Sequence, residues 1–270
     1  MAGYSASFTP GGGLHPILHL SVPSAPAPAP SCALHALVAV PPELIADRYQ
    51  LSQLERDGRL GSAGIGGQAV WHAGEGDLEA PAWCAGPASV LVRLSNGGAG
   101  ERDGHGADKT AEKERDQVIE VDVPLHLRYQ EPVERRWLAG GARADSRLVV
   151  VEVPWVFWAC AADAGVTAPC PASSLPDLAS SFPHLATSTL HFLAPKACLR
   201  LASSSSSTCP PSRPPPLVLV APTGVLTDLP LVEGVTAAAV WACFAFLCWT
   251  AVRAYRRGAV AGQVRKDKAA

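Results

Sequence analysis

Two carboxylates, Glu120 and Asp122, are two residues apart, a spacing that places both side chains on one face of a β-strand. A pair of acids on one face could act as a general acid and a general base. His126 and Arg128 continue the same face of the strand. A solvated polar strand face has the same appearance and is far commoner than a catalytic pair. We therefore expect these carboxylates to be solvated and not catalytic.

The histidines and cysteines do not have the spacing of a metal site. His72, His105, His184 and His191 are scattered along the chain, and no two cysteines form a C-x-x-C pair. A zinc ribbon and a thioredoxin-type redox centre both need that pair. We expect no metal ion.

Nucleotide and nucleophile motifs are equally weak. Gly64, Gly66 and Ala69 fit the pattern G-x-G-x-x-A, but they lie in a loop-like stretch that no strand precedes. The nucleophile elbow G-x-S-x-G does not occur. We predict neither catalytic residues nor a cofactor. A hydrolase that acts in the lumen of the secretory pathway is a weaker alternative. An enzymatic assay of the isolated domain that precedes the predicted membrane helix would test it.

The overall charge argues against a nucleic-acid partner. The chain has 22 Lys and Arg against 24 Asp and Glu, for a net charge of -2, so it offers no strong basic field to a phosphate backbone. Its 48% hydrophobic residues are enough for a folded core.

The elements that must position these residues are mainly β-strands. Over residues 119–129 the odd-numbered positions are apolar and the even-numbered ones polar apart from Pro124, which predicts a strand with Tyr129 in the core and Arg128 on a solvated face. Residues 148–158 are apolar at nearly every position, which predicts a strand covered on both faces. Further strands are predicted at 17–22, 33–40, 89–94, 188–192 and 217–221, and one helix after Pro42, over 44–54.

These patterns predict a mainly β, sandwich-like ectodomain followed by a single C-terminal transmembrane helix. The predicted division is a low-complexity segment over 1–31, a β-rich domain over 32–230, a membrane helix over 231–252 and a basic tail over 253–270. Charged and glycine-bearing residues predict a loop insert at 97–117, and a Ser-Pro-rich stretch predicts another at 202–216.

The prediction of a membrane helix rests on nineteen uncharged residues, 234–252, whose length as a helix is close to the hydrocarbon thickness of a bilayer. Asp228 and Glu233 precede the stretch, and Arg253, Arg256 and Arg257 follow it. The positive-inside rule therefore predicts a cytosolic tail and a large domain on the other side of the membrane. The alternative is a tail-anchored protein with a cytosolic N-terminal domain, against which these flanking charges argue.

Six cysteines precede the span, so up to three disulfides are plausible in an oxidising compartment. Six cysteines allow fifteen connectivities. Cys160 with Cys170, and Cys198 with Cys209, would each close a short loop, and pairings between these two pairs are equally open.

Near its end the tail contains Lys266 and Lys268 in the pattern K-x-K-x-x, which is typical of dilysine retrieval signals on endoplasmic-reticulum membrane proteins. A basic tail can also produce this spacing by chance.

Several segments resemble one family when they are taken in order. They are VDVPLHLRYQEP at 121–132, VPWVFWAC at 153–160, LVLVAPTGVLTDLPLV at 217–232, CALHALVAVPPELIADRYQLSQL at 32–54 and AGPASVLVRL at 85–94. Together they cover somewhat more than half the chain and look like PIG-X, the stabilising subunit of glycosylphosphatidylinositol (GPI) mannosyltransferase I. The L-H-x-R-Y-x-x-P segment, which ends with Tyr129 and Pro132, is the most specific part.

The resemblance implies a non-catalytic, single-pass endoplasmic-reticulum protein with a lumenal domain. It implies a multi-span mannosyltransferase as partner, which holds the catalytic residues of the reaction. The alternative function is a single-pass receptor or cargo adaptor of the early secretory pathway, which a span, a basic tail and a β ectodomain would serve equally well.

A stabilising subunit must bind its partner both in the lumen and in the bilayer. In the lumen we expect His126 and Arg128 to contact the partner, with Tyr129 and Pro132 in structural roles. In the bilayer Gly234, Ala238 and Ala242 recur every four residues, so they form a stripe where a second helix can approach closely. Abundant alanine in the chain would produce the same stripe without any partner.

Overall fold

The structure is a computed structural model, and the part of the chain it describes excludes the predicted insert at 97–117, Lys268 and most of the Ser-Pro stretch. It describes residues 3–9, 13–23, 26–60, 69–96, 118–134, 136–137, 143–144, 146–161, 170–171, 176–196 and 215–267.

Most of the described elements are strands, which confirms the mainly β prediction. The strands are β1 Ser5–Phe8, β2 Ile17–Pro23, β3 Ala33–Val40, β4 Leu44–Ile45, β5 Val70–Gly74, β6 Ala88–Asn96, β7 Val118–Pro124, β8 His126–Leu127, β9 Arg136–Trp137, β10 Arg143–Ala144, β11 Ser146–Val151, β12 Trp155–Cys160, β13 Cys170–Pro171, β14 Thr189–Phe192 and β15 Leu217–Pro222. The helices are α1 Arg48–Arg56, α2 Pro176–Ser181 and α3 Leu229–Asp267, with 3-10 turns at Pro183–Leu185 and Leu226–Asp228.

The central sheet is antiparallel and has six strands in the order β13-β14-β12-β3-β6-β5. β3 lies inside this sheet, and its sequence ALHALVAV is apolar at nearly every position because both of its faces are covered. One face belongs to the main core, and the other packs on a smaller cluster that includes Phe157 and, from α2 and the turn after it, Leu178 and Leu185.

A second, three-stranded sheet in the order β1-β2-β7 packs on the main core. Leu18 and Leu20 from β2 and Val121 and Val123 from β7 lie in the same apolar cluster as β3. This two-layer packing is the predicted sandwich-like arrangement. It includes residues of the predicted low-complexity segment 1–31, because β2 is a core strand and the Tyr4 hydroxyl donates a 2.7 Å hydrogen bond to the Pro154 carbonyl oxygen.

The alternation predicted over 119–129 holds only for the first part of that range. Val121, Val123 and Leu125 are buried, but Arg128 is also buried, at 6% exposed, whereas Tyr129 is 83% exposed. The predicted core position of Tyr129 and solvated position of Arg128 are therefore wrong. The reason is that β7 ends at Pro124 and β8 pairs with β4 in a different sheet, so the alternation of faces is not carried across the break.

The apolar run at 148–158 consists of two strands with different surroundings. β12 is central and buried, as predicted. β11 pairs with β15 in a two-stranded sheet, and its Leu148 and Val150 are exposed, so the prediction of two covered faces is wrong for this strand. The predicted helix begins four residues later than expected, after the N-cap Asp47, because Leu44–Ile45 forms β4.

One disulfide joins Cys32 and Cys160. The predicted pairing of Cys160 with Cys170 is therefore wrong. β3 and β12 are antiparallel neighbours in which Ala33 pairs with Ala159, and this register places the two cysteines side by side. Cys198 and Cys209 lie outside the described residues.

The chain divides into two compact units, one of Met1–Glu131 with Ser146–Thr223 and one of Pro132–Asp145 with Gly224–Ala270. The second unit contains α3. Residues Leu226–Arg256 form a stretch long and apolar enough to cross a membrane, the only one among the described residues, and the predicted span 231–252 lies inside it.

Candidate partner interface

Arg128 is the centre of the L-H-x-R-Y-x-x-P segment. Its Nη1 donates hydrogen bonds to the carbonyl oxygens of Asp77 at 2.6 Å and Ala80 at 2.7 Å, and its Nε donates to that of Leu44 at 3.4 Å. A guanidinium has five N–H donors in a rigid fork, so one side chain can bind several carbonyl groups at once. Arg128 therefore joins the β5–β6 connection to β4.

The neighbouring backbone is held in the same way. The backbone N–H of Arg128 donates to the carbonyl of Glu43, and Gln130 Nε2 donates to the carbonyls of Glu43 and Arg128. The carbonyl of Tyr129 accepts from the N–H of Ala82. Burial lowers the pKa of Arg128, while the nearby carboxylates of Glu75 and Asp77 raise it. Arg128 is thus a structural residue of the folded domain.

Exposed apolar side chains surround this buried arginine. Tyr129 follows it directly, Trp83 follows Ala82, and Leu78 follows Asp77, and all three side chains are exposed. Large exposed aromatic residues are enriched among those that dominate binding at protein interfaces. Trp83 is not among the residues predicted from the sequence, although a tryptophan within the Pro-bearing segment APAWCAGP is a signal that the sequence contains.

His126 is half-buried and takes part in a short polar chain. Its Nε2 lies 2.8 Å from Gln50 Oε1, and its Nδ1 lies 2.8 Å from Nδ1 of His15. Because the amide oxygen of Gln50 can only accept, His126 carries its proton on Nε2 and accepts at Nδ1 from His15. Burial first, and then His15, lower the pKa of His126. His126 therefore ties β8 to α1 while neutral.

Pro132 lies beside the segment that leads into α3. Its Cβ is 3.7 Å from the position a Cβ on Gly224 would occupy, and the next residue, Val133, exchanges backbone hydrogen bonds of 2.9 Å with Gly224 and Leu226. The predicted stripe of Gly234, Ala238 and Ala242 lies along α3, and all three residues are exposed. Lys266 lies near the end of the same helix.

A separate buried cluster surrounds His35 on the other face of the central sheet. His35 is stacked on Phe157 with ring centroids 5.9 Å apart, and its Nδ1 donates to the Ala33 carbonyl oxygen at 3.0 Å. Trp71 lies beside His35 and stacks on His184. Burial lowers the pKa of His35 from 6.5 to about 4.

This shift predicts a pH dependence of stability. Between pH 6.5 and about 4 the unfolded chain holds a proton on His35 that the folded chain does not. The free energy of unfolding is therefore highest above pH 6.5 and falls as the pH is lowered, with a contribution from His35 of about 3 kcal/mol.

Denaturant unfolding of the full chain in detergent, at several pH values from 7.5 to about 4, measures this dependence. His35→Phe, which keeps an aromatic ring in the stack, should flatten the slope. His72, His126, His184 and His191, whose pKa values are also lowered, supply the remaining slope. An unchanged slope in His35→Phe would contradict the assignment.

Comparison with known proteins gives one consistent match. The family model described as PIG-X / PBN1 matches residues 11–252. Proteins named pbn1 are similar to this chain in Aspergillus oryzae (38% identical, covering 61% of this chain and 27% of that protein), Neurospora crassa (35%, covering 62% and 28%) and Schizosaccharomyces pombe (31%, covering 45% and 32%). The chain spans less than a third of the length of these relatives. No solved structure matches.

Proposed function

This chain belongs to the PIG-X / PBN1 family, and on that premise we propose that it acts in GPI-anchor biosynthesis as a non-catalytic, stabilising subunit. The proposed partner is the multi-span mannosyltransferase of the endoplasmic reticulum that adds the first mannose to the GPI precursor. The catalytic residues of that reaction belong to the partner.

The observation that carries this proposal is the exposed surface of α3. Leu226–Arg256 is apolar, long enough to cross a bilayer and wholly unburied, whereas the β domain has its own closed core. Such a helix needs lipid or other membrane helices around it. The small residues Gly234, Ala238 and Ala242 would let a partner helix approach closely, because helix association in lipid depends on close packing.

The charges and the disulfide support a lumenal β domain. Asp228 and Glu233 precede the uncharged residues 234–252, and Arg253 and Arg256 follow them, as expected for a cytosolic C-terminal side. The disulfide between Cys32 and Cys160 is typical of an oxidising compartment such as the lumen of the endoplasmic reticulum.

In the lumen, we assign the partner contact to the residues that Arg128 positions. Arg128 donates hydrogen bonds from Nε and Nη1 to carbonyl groups of its own chain, so few of its N–H groups are left to bind a partner. Tyr129 and Trp83 are exposed next to its hydrogen-bond partners and offer large contact area with few rotatable bonds. His126 contributes to the partner contact indirectly, because its hydrogen bond to Gln50 fixes β8 against α1.

The test is the steady-state amount of the mannosyltransferase in cells that lack or express this chain. Deleting the chain should lower the enzyme's abundance several-fold, and re-expression should restore it. Ala238→Leu, which adds bulk to the small-residue stripe, should fail to restore it. Ala239→Leu is the matched control, since it makes the same change roughly 100° further round the helix.

Three outcomes would decide against the proposal or part of it. Normal enzyme levels after deletion would contradict the subunit role. Equal rescue by Ala238→Leu and Ala239→Leu would remove the stripe from the interface. Co-purification of lumenal cargo proteins in place of a multi-span enzyme would favour the receptor or adaptor alternative.

A further inference from the structure

The outer face of the two-stranded sheet β11–β15 is apolar and exposed. Leu148 lies opposite Val220 and Val150 lies opposite Val218 across the two strands, and each of these four side chains is more than half exposed. The opposite face contributes Val149, Val151 and Ala221 to the main core. The ribbon is therefore apolar on both faces, although only one face is covered. We call Leu148, Val150, Val218 and Val220 the outer ribbon face.

This pattern differs from that of another strand of the same fold. In β7, Val121 and Val123 are buried, while Glu120 and Asp122, which alternate with them, are exposed and charged. An antiparallel strand with one solvated face normally has polar residues there, as β7 does. A contiguous exposed apolar patch in a folded domain marks a surface that contacts something else.

The position of β15 in the chain indicates what the outer ribbon face contacts. β15 ends at Pro222, α3 begins at Leu229, and the uncharged stretch of this helix begins at Gly234. At roughly 3.5 Å per residue from Pro222 to Leu229 and about 1.5 Å per residue along the helix to Gly234, the chain between β15 and the uncharged stretch spans at most about 32 Å. The residues from Leu217 to Thr227 include no charged side chain. The membrane helix thus tethers one end of the ribbon close to the bilayer surface.

We propose that the outer ribbon face lies on the lipid surface of the membrane that α3 spans, in the boundary between headgroups and acyl chains. Contact of this kind strengthens with the apolar area buried. A patch of four aliphatic side chains is small, but a short tether raises its effective concentration at the surface, so a weak intrinsic affinity is sufficient. The contact needs no partner protein and is independent of the proposed function.

Site-specific photo-crosslinking of the full chain tests this contact. The chain is reconstituted alone in phosphatidylcholine nanodiscs with the photoreactive residue benzoylphenylalanine at position 150 or, separately, at position 220. The matched control places it at Val118, another exposed valine, which lies on β7. Protease resistance confirms that each labelled chain is folded. Mass spectrometry then identifies what each position has captured.

We expect phosphatidylcholine adducts at positions 150 and 220 in several-fold higher yield than at position 118. Equal lipid yield at all three positions would overturn the proposal, as would adducts only with other segments of the chain. Repeating the measurement in native membranes tests whether the outer ribbon face binds another protein. Adducts there with another protein and none with lipid would show that the outer ribbon face binds a protein instead, and would also overturn it.

Discussion

Replacing Arg128 with alanine should lower the free energy of unfolding of the β domain by on the order of 4 kcal/mol. The change removes the charged donor from the carbonyl groups of Leu44, Asp77 and Ala80, and these groups belong to segments far apart in the sequence. Buried carbonyl groups left without donors carry their full desolvation cost. A loss of this size is a large fraction of a domain's net stability.

Denaturant unfolding and protease resistance of the full chain in detergent measure this loss. Arg59→Ala is the matched control, because Arg59 is an exposed arginine that lies just after α1. Tyr129→Ala should change the stability by less than about 0.5 kcal/mol, since its side chain lies in solvent. A stable Arg128→Ala protein together with an unfolded Tyr129→Ala protein would restore the sequence-based prediction and refute the structural one.

Loss of the Cys32–Cys160 disulfide should have an effect of similar size. The bond joins cysteines 128 residues apart, and closing so long a loop restricts the unfolded chain strongly. The entropy of loop closure, together with the typical cost of removing a native disulfide, predicts that the double variant Cys32→Ala, Cys160→Ala loses about 3–5 kcal/mol of its free energy of unfolding. Both cysteines are buried, so alanine also leaves a small cavity in the core.

Peptide mapping without reduction shows the bond directly, and unfolding of the double variant measures its contribution. Cys84→Ser is the control, because Cys84 is exposed and free, and it should leave stability unchanged. In the native chain, Cys84 should react with an alkylating reagent while Cys32 and Cys160 do not. Alkylation of all three without reduction would show that the bond is absent.

Local pattern was sufficient for most of the strands. β2, β3, β6, β14 and β15 all lie where alternation or continuous apolar runs predicted them, within one or two residues. The same holds for the membrane-length helix, which needs only a run of uncharged residues. These features depend on the chemistry of neighbouring residues, because the repeat of a strand or helix is a property of its own backbone.

The candidate interface was less accessible to sequence reasoning. The sequence singles out Arg128 through its motif, but the hydrogen-bond acceptors of Arg128 are backbone carbonyl groups, which any residue type can supply. The contribution of Trp83 depends on a hydrogen bond between Ala82 and Tyr129, which are 47 positions apart. Contacts of this kind leave no periodic trace in the sequence.

The sequence by itself thus determined the β class, the apolar helix, the segments that resemble PIG-X and the absence of metal-ligand spacing in its cysteines. Tertiary structure alone decided that Arg128 is buried and Tyr129 exposed, because the strand that set their alternation ends at Pro124 and the chain then pairs with β4. It also decided that Cys160 pairs with Cys32, and that Leu148 and Val150 face outward. Each of these outcomes depends on which distant strand lies alongside, and strand pairing is set by packing across the whole domain and not by the order of neighbouring residues.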